Sequence, residues 1–215
     1  AKQRSDVETL LFEDFNTTGI KGGPTPHKWM LENNERNDWY AFMWNVGSPE
    51  TKGQHKGGSI GIGRLTFALS SEIKTFFSYT QQNYNSHKNT YFAGLTIMGH
   101  DSKDEFLDPI ARFGVRNKDD ENNKWEPISG AEELENLRNL FKIERKKGEG
   151  GTSMIVPFVR KAITKEDLIK RIIDRYRIGL YLNHFKITIE GEIVSKQTLK
   201  SIIKKYLPDE LESHE

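Results

Sequence analysis

Three stretches near the middle of this chain, Ile73 to Gln81, Tyr91 to Met98 and Pro109 to Val115, are dense in β-branched and aromatic residues. Such segments favour extended backbone. They follow one another closely, with Asn83 to Asn89 reading as a turn. Consecutive strands on short connections pair antiparallel, because a parallel pair needs a long crossover. Further strands are expected at Val7 to Phe12, Thr152 to Val159 and His184 to Glu190. Helical spacing runs from Arg64 to Glu72 (Leu65, Ala68, Leu69) and from Ala131 to Leu140 (Leu134, Leu137, then Phe141). A long helix over 165–182 carries Leu168, Ile169, Ile172, Ile173 and Tyr176, with Thr164 as its N-cap and Asp167 three residues on. Ser195 is read as the cap of a last helix bearing Leu199, Ile202, Ile203 and Tyr206, which Pro208 ends. Two short helical pieces lie between Trp29 and Val46. This order predicts an α+β fold: a two-layer sandwich with a mixed, mostly antiparallel sheet and helices on one face, not a doubly wound parallel sheet. Residues 1–160 form the main domain, and 161–215 a C-terminal α/β extension packed on it.

Composition narrows the function. Lys and Arg number 32 against 31 Asp and Glu, a net charge of +1. So even a balance gives no broad field for nucleic acid or membrane. Aromatics reach 11%, more than a disordered chain carries, so a real core is expected. The absence of cysteine excludes a disulfide framework, zinc–cysteine sites and a cysteine nucleophile, and suits a reducing compartment. No apolar run approaches the ~18 residues of a membrane helix, and the start Ala1-Lys2-Gln3-Arg4 is not a signal peptide. A cytoplasmic location is the expectation. The six histidines are scattered without HxxxH or HExxH spacing, so no transition-metal site is expected. Lys200, Lys204 and Lys205 read as a solvated helix face beside an acidic tail.

Three local patterns could carry chemistry. Gly58-Ser59-Ile60-Gly61-Ile62-Gly63 stands where a loop enters a helix. Glycines there let backbone approach a ligand, and free N–H groups of the helix suit a phosphate; a glycine-rich turn without ligand is the competing reading. It is neither a Walker A loop, since Arg64-Leu65 follows Gly63, nor a Rossmann fingerprint, since the order is GxxGxG. Gly57-Gly58-Ser59-Ile60-Gly61 also matches GxSxG, which would make Ser59 a nucleophile served by a histidine such as His184. That elbow needs a strand directly before it, and none precedes it here. Second, Glu13-Asp14-Phe15 ends a strand before Thr17-Thr18-Gly19. A carboxylate at such a turn can accept from a purine amino group or simply face water. Third, Gly150-Gly151-Thr152 leads into a strand and reads equally well as an ordinary turn.

In this order the pieces resemble the GHKL (Bergerat-fold) ATPases, the superfamily of the DNA gyrase ATPase domain, the heat-shock 90-kDa chaperones, histidine kinases and MutL. Phe12-Glu13-Asp14-Phe15-Asn16-Thr17-Thr18-Gly19 looks most like bacterial relatives of MutL and the MORC ATPases, and Lys56 to Phe77 and Phe141 to Phe158 are similar to that group as well. The resemblance covers residues 7–160. It implies that Asp14 accepts from the adenine amino group, that Gly19 lies in the turn under the base, and that 20–57 is an ATP lid. It implies that Gly58, Gly61 and Gly63 cradle the phosphates, that Lys56 reaches one of them, and that Thr152 sits near the adenine. ATP or ADP with Mg²⁺ is the implied cofactor. The implied partners are the rest of a parent protein and a second copy in a clamp-like dimer; a membrane partner is not implied.

Two departures from the family pattern stand out. The usual Asp-x-Gly-x-Gly is Asp14-Phe15-Asn16-Thr17-Thr18, with the first glycine at 19; Asn16 can take a left-handed conformation in its place. The family also carries a general-base Glu and a magnesium-binding Asn on a helix before the first strand, and only six residues precede Val7. The expectation is a fragment of a longer ATPase, the alternative a degenerate relative, and no catalytic residue is assigned. An interaction domain that keeps the fold without nucleotide, and a serine hydrolase centred on Ser59, are the competing functions.

Overall fold

The computed structural model describes residues 7–24, 37–44, 63–97, 110–116 and 125–208. The chain divides into two compact units, Ala1–Val159 and Arg160–Glu215. The first is built on a five-stranded sheet of β1 (Thr9–Glu13), β2 (Thr75–Gln81), β3 (Thr90–Ile97), β4 (Ile110–Phe113) and β7 (Gly151–Pro157). Its strand order is β1-β7-β2-β3-β4, with every pairing antiparallel. β5 (Val115–Arg116) and β6 (Trp125–Glu126) form a separate short ribbon. Among the described residues the architecture is therefore α+β.

Period-two alternation divides the core. Leu10, Phe76, Leu95, Met154 and Val156 face one way and meet Trp39 and Met43 of α1 (Asp38–Met43) and Phe67 and Ala68 of α2 (Gly63–Ser70). Leu11, Phe77, Tyr79, Phe92 and Ile155 face the other way, under Leu134 and Leu137 of α3 (Ala131–Leu140) and Phe141. The expectation of helices on one face is thus corrected: α1 and α2 cover one face and α3 the other. β2 and β7 are buried along nearly their whole length on both sides, as strands covered on both faces are. In α2 the inward residues are Arg64 and Ala68, while Leu69 is 55% exposed, so the Leu65–Ala68–Leu69 stripe is displaced.

Part of the stretch read as a lid is described, and one of the two short helices expected between Trp29 and Val46 stands in it. Within 20–57, the described residues 37–44 form α1, whose Trp39 and Met43 belong to the main core. They stand four apart on one helical face, and Trp39 meets Trp44 edge-on at 5.3 Å. Asn37 caps α1 by accepting the Tyr40 N–H at 2.9 Å. Residues 25–36 and 45–62 lie outside the described set.

The second unit contains α4 (Lys165–Tyr181), the hairpin of β8 (Ile187–Ile189) and β9 (Glu192–Val194), and α5 (Leu199–Tyr206). Thr164 caps α4, accepting the Asp167 N–H at 3.1 Å. Ile169, Ile173 and Leu180 meet Val194, Leu199 and Ile202 in this unit's own core; Tyr176, expected in that stripe, is 54% exposed. Glu190 and Gly191 both have positive φ, 45° and 79°, the signature of a tight type I′ hairpin. That turn explains why the expected strand His184 to Glu190 is a short hairpin instead. Thr198, not Ser195, stands at the N-cap of α5. Among the described residues no helix is long and apolar enough to cross a membrane.

Candidate functional site

β1 runs beside β7, and its pairing extends one residue past the strand: the Asp14 N–H donates to the Thr152 carbonyl at 3.0 Å. The Thr152 N–H donates in return to Asp14 Oδ1, and the Thr17 hydroxyl donates to Asp14 Oδ2 at 3.0 Å. The carboxylate is thereby fixed in direction, yet 41% of the side chain is exposed. A carboxylate offers about four lone-pair positions, so it keeps capacity for a donor from outside.

The turn beyond it is built for close approach. Asn16 sits at φ 60° and Gly19 at φ 69°, the left-handed region that asparagine and glycine tolerate best. A Cβ on Gly19 would lie 2.5 Å from the Gln81 carbonyl oxygen, so only glycine passes there. The next residue anchors the turn: the Ile20 N–H donates to Thr80 Oγ1 at 2.9 Å. Thr80 Oγ1 lies 3.1 Å from Thr152 Oγ1, on the face covered by α1 and α2, since both residues alternate in step with Phe76 and Met154. Gln82 donates to the Ile20 and Gly22 carbonyls at 2.8 and 2.7 Å.

Beneath Asp14 lies Arg145, whose side chain is fully buried. It donates to the Gly150 carbonyl at 3.0 Å and to the Asp14 carbonyl, reaches Asp14 Oδ1 at 3.5 Å, and stacks 5.0 Å from the Phe15 ring. Burial pulls the guanidinium below its ordinary range, and Asp14, Glu13 and Glu149 oppose that pull. Glu13 accepts from the Ser153 hydroxyl at 2.6 Å and from the Glu144 N–H at 3.0 Å. Segments 13–19, 80–82 and 144–153 are thus locked into one polar cluster.

Of the residues singled out by sequence, Asp14, Gly19 and Thr152 meet here. Gly63 is the first residue of α2, and nothing lies within 4 Å of where its Cβ would sit, so it makes no contact with the three by that route. Arg64 beside it donates to the Ala41 carbonyl at 2.8 Å, tying the start of α2 to the end of α1. Lys56, Gly58, Gly61 and Ser59 lie outside the described residues. Thr17, Thr80 and Arg145 are additions that no sequence pattern marks as site residues. Thr80 shares its inward row with Phe76 and Ser78, so its hydroxyl carries no signal of its own. Arg145, inside Glu144-Arg145-Lys146-Lys147, reads as solvated charge.

Among the described residues no group of three or more His, Asp or Glu side chains could hold a metal ion. No family model matches the chain, and no curated protein or solved structure matches it.

Proposed function

We propose that the Ala1–Val159 unit is an adenine-nucleotide-binding module of the GHKL type, part of an ATP-driven conformational clamp. The observation that supports this most is the convergence of Asp14, Gly19 and Thr152 at adjacent strand ends, although Thr152 lies 138 residues beyond Asp14. In this reading the half-exposed Asp14 carboxylate accepts from the adenine N6 amino group. Gly19 brings the turn under the base, Thr80 and Thr152 supply hydroxyls beside it, and the segment leading to Gly63 takes the phosphates. Bound Mg²⁺ would shield phosphate charge; none of the described residues is assigned to it, nor to hydrolysis.

The test is calorimetric titration of ADP into the chain and into Asp14→Asn. Both Asp14 oxygens already accept from the protein, so an amide there must turn its NH₂ toward a donor or toward the ligand's own N–H. Loss of that hydrogen bond corresponds to about 1–3 kcal/mol, roughly a five- to hundred-fold weaker Kd. Unchanged affinity in Asp14→Asn would overturn the adenine role.

A further inference from the structure

On the α3 face of the sheet, away from Asp14, lies a cavity of about 530 Å³ whose lining includes Tyr79, Lys88, Tyr91, Leu134, Arg138 and Lys147. It falls within the size range of small-molecule sites. Its charges are unbalanced: Lys88, Arg138 and Lys147 give +3 against −1 from Glu135, a net +2. Each cation comes from a different segment, and each segment is held in place. Lys88 contacts Asn83 Oδ1. Arg138 is gripped by Glu135 at 2.6 and 3.1 Å and donates to the Arg145 carbonyl at 3.2 Å. Lys147 rides on a turn clamped by Gln81, whose amide donates to the Lys146 and Glu149 carbonyls at 3.0 Å each.

Tyr79 makes this more than a basic surface. The residue is 5% exposed, packed in the core with Phe92, Leu134, Ile143 and Ile155. It lines the cavity, and its hydroxyl has no hydrogen-bond partner among the described residues. The hydroxyl is not one of the fully buried unpartnered atoms, so it opens onto the cavity, where a ligand oxygen can reach it. Burial pushes the phenol pKa up, with Arg138 opposing, so the hydroxyl stays a neutral donor.

We propose that this cavity binds a small organic phosphate, its phosphate held by Lys88, Arg138 and Lys147, its oxygen accepting from the Tyr79 hydroxyl, and its organic part resting on Leu134. Three cations and one neutral donor suit a phosphate monoester, which carries up to two charges and several acceptor oxygens; a carboxylate uses fewer of them. The cavity opens on the α3 face and takes Gln81 and Lys147 from segments that also build the Asp14 cluster, but Asp14 itself does not line it.

Phenyl phosphate is the probe, titrated into ¹⁵N-labelled chain at low ionic strength, with benzoate in parallel and native-like spectra required of every variant. The expected result is saturable shifts at the amides of Lys88, Ser129, Arg138 and Lys147, with benzoate binding more weakly. Tyr79→Phe, which keeps the ring, and Lys147→Gln, which lies on a surface turn, should each weaken binding about fivefold. The proposal is overturned by an absence of saturable shifts, by a Kd in Tyr79→Phe or Lys147→Gln equal to that of the unaltered chain, or by benzoate binding as tightly.

Discussion

Asp14 and Thr152 exchange hydrogen bonds in both directions: the Asp14 N–H donates to the Thr152 carbonyl at 3.0 Å, and the Thr152 N–H donates to the Asp14 carboxylate. The exchange makes the side chain of Asp14 part of the sheet edge. A carboxylate so fixed is pre-aimed, and no side-chain entropy has to be lost when a ligand donor arrives.

That pre-aiming depends on Arg145. Replacing it with Met keeps bulk but leaves the Asp14 and Gly150 carbonyls without their donor. The loss falls mainly on those buried carbonyls, because the Asp14 carboxylate is 41% exposed and water screens it. Arg145→Met should therefore destabilise the first unit by about 3 kcal/mol, read as a lowered urea midpoint by tryptophan fluorescence. A change under ~1 kcal/mol would mean that the carbonyls find other partners.

Gly19 and Gly148 separate two costs. Both have positive φ, 69° and 88°, but a Cβ at 148 meets nothing within 4 Å, whereas one at 19 runs into the Gln81 carbonyl. Gly148→Ala should cost about 1 kcal/mol, the conformational penalty alone. Gly19→Ala should cost clearly more, by about 2 kcal/mol or above. Equal costs in parallel urea titrations would contradict the close approach at Gly19.

In the second unit, Glu192 accepts from Lys205 at 2.8 Å and from the Tyr206 hydroxyl at 2.6 Å. The Lys205 hydrogen bond, then Tyr206, hold its pKa below the ordinary carboxylate value. A carboxylate lowered in the folded state stabilises above its unfolded pKa, and that stability fades as pH falls through the folded value. Hydrogen exchange at residues 187–206 should accelerate between about pH 5 and 3, after correction for intrinsic rates. Glu192→Gln should remove that pH dependence; an identical profile in the variant would refute the assignment.

Thr164→Ala tests the cap of α4. Losing the acceptor for the Asp167 N–H should cost about 1 kcal/mol, with exchange rising first at the amides of 165–168. Protection left intact there would show the cap to be dispensable.

What could be read ahead of the structure was set by local rules. The strand content of 73–97, α3, the Thr164 cap and the left-handed Asn16 follow from propensity, periodicity and side-chain size. Which face each helix covers is a tertiary matter: α3 has the same amphipathic pattern whether it packs above the sheet or below it. A short helix among Trp39 to Trp44 is expected from the sequence and stands at Asp38–Met43; that Trp39 and Met43 enter the main core is not legible, because six residues do not say what they pack against. At the polar cluster, Asp14 and Thr152 stood out through neighbouring glycines. Arg145 did not, because a buried guanidinium and a solvated one look alike in a charged run until the carbonyls it binds are known.

The central claim, that Asp14 reads an adenine, is tested most directly by paired calorimetric titrations of ADP and GDP into the same preparation. At the edge where adenine offers an amino donor, guanine presents a carbonyl, which would face the carboxylate acceptor to acceptor. The account predicts that ADP binds and that GDP binds at least about tenfold more weakly, a difference of roughly 1.4 kcal/mol. Equal affinities, or no binding of ADP, would contradict it.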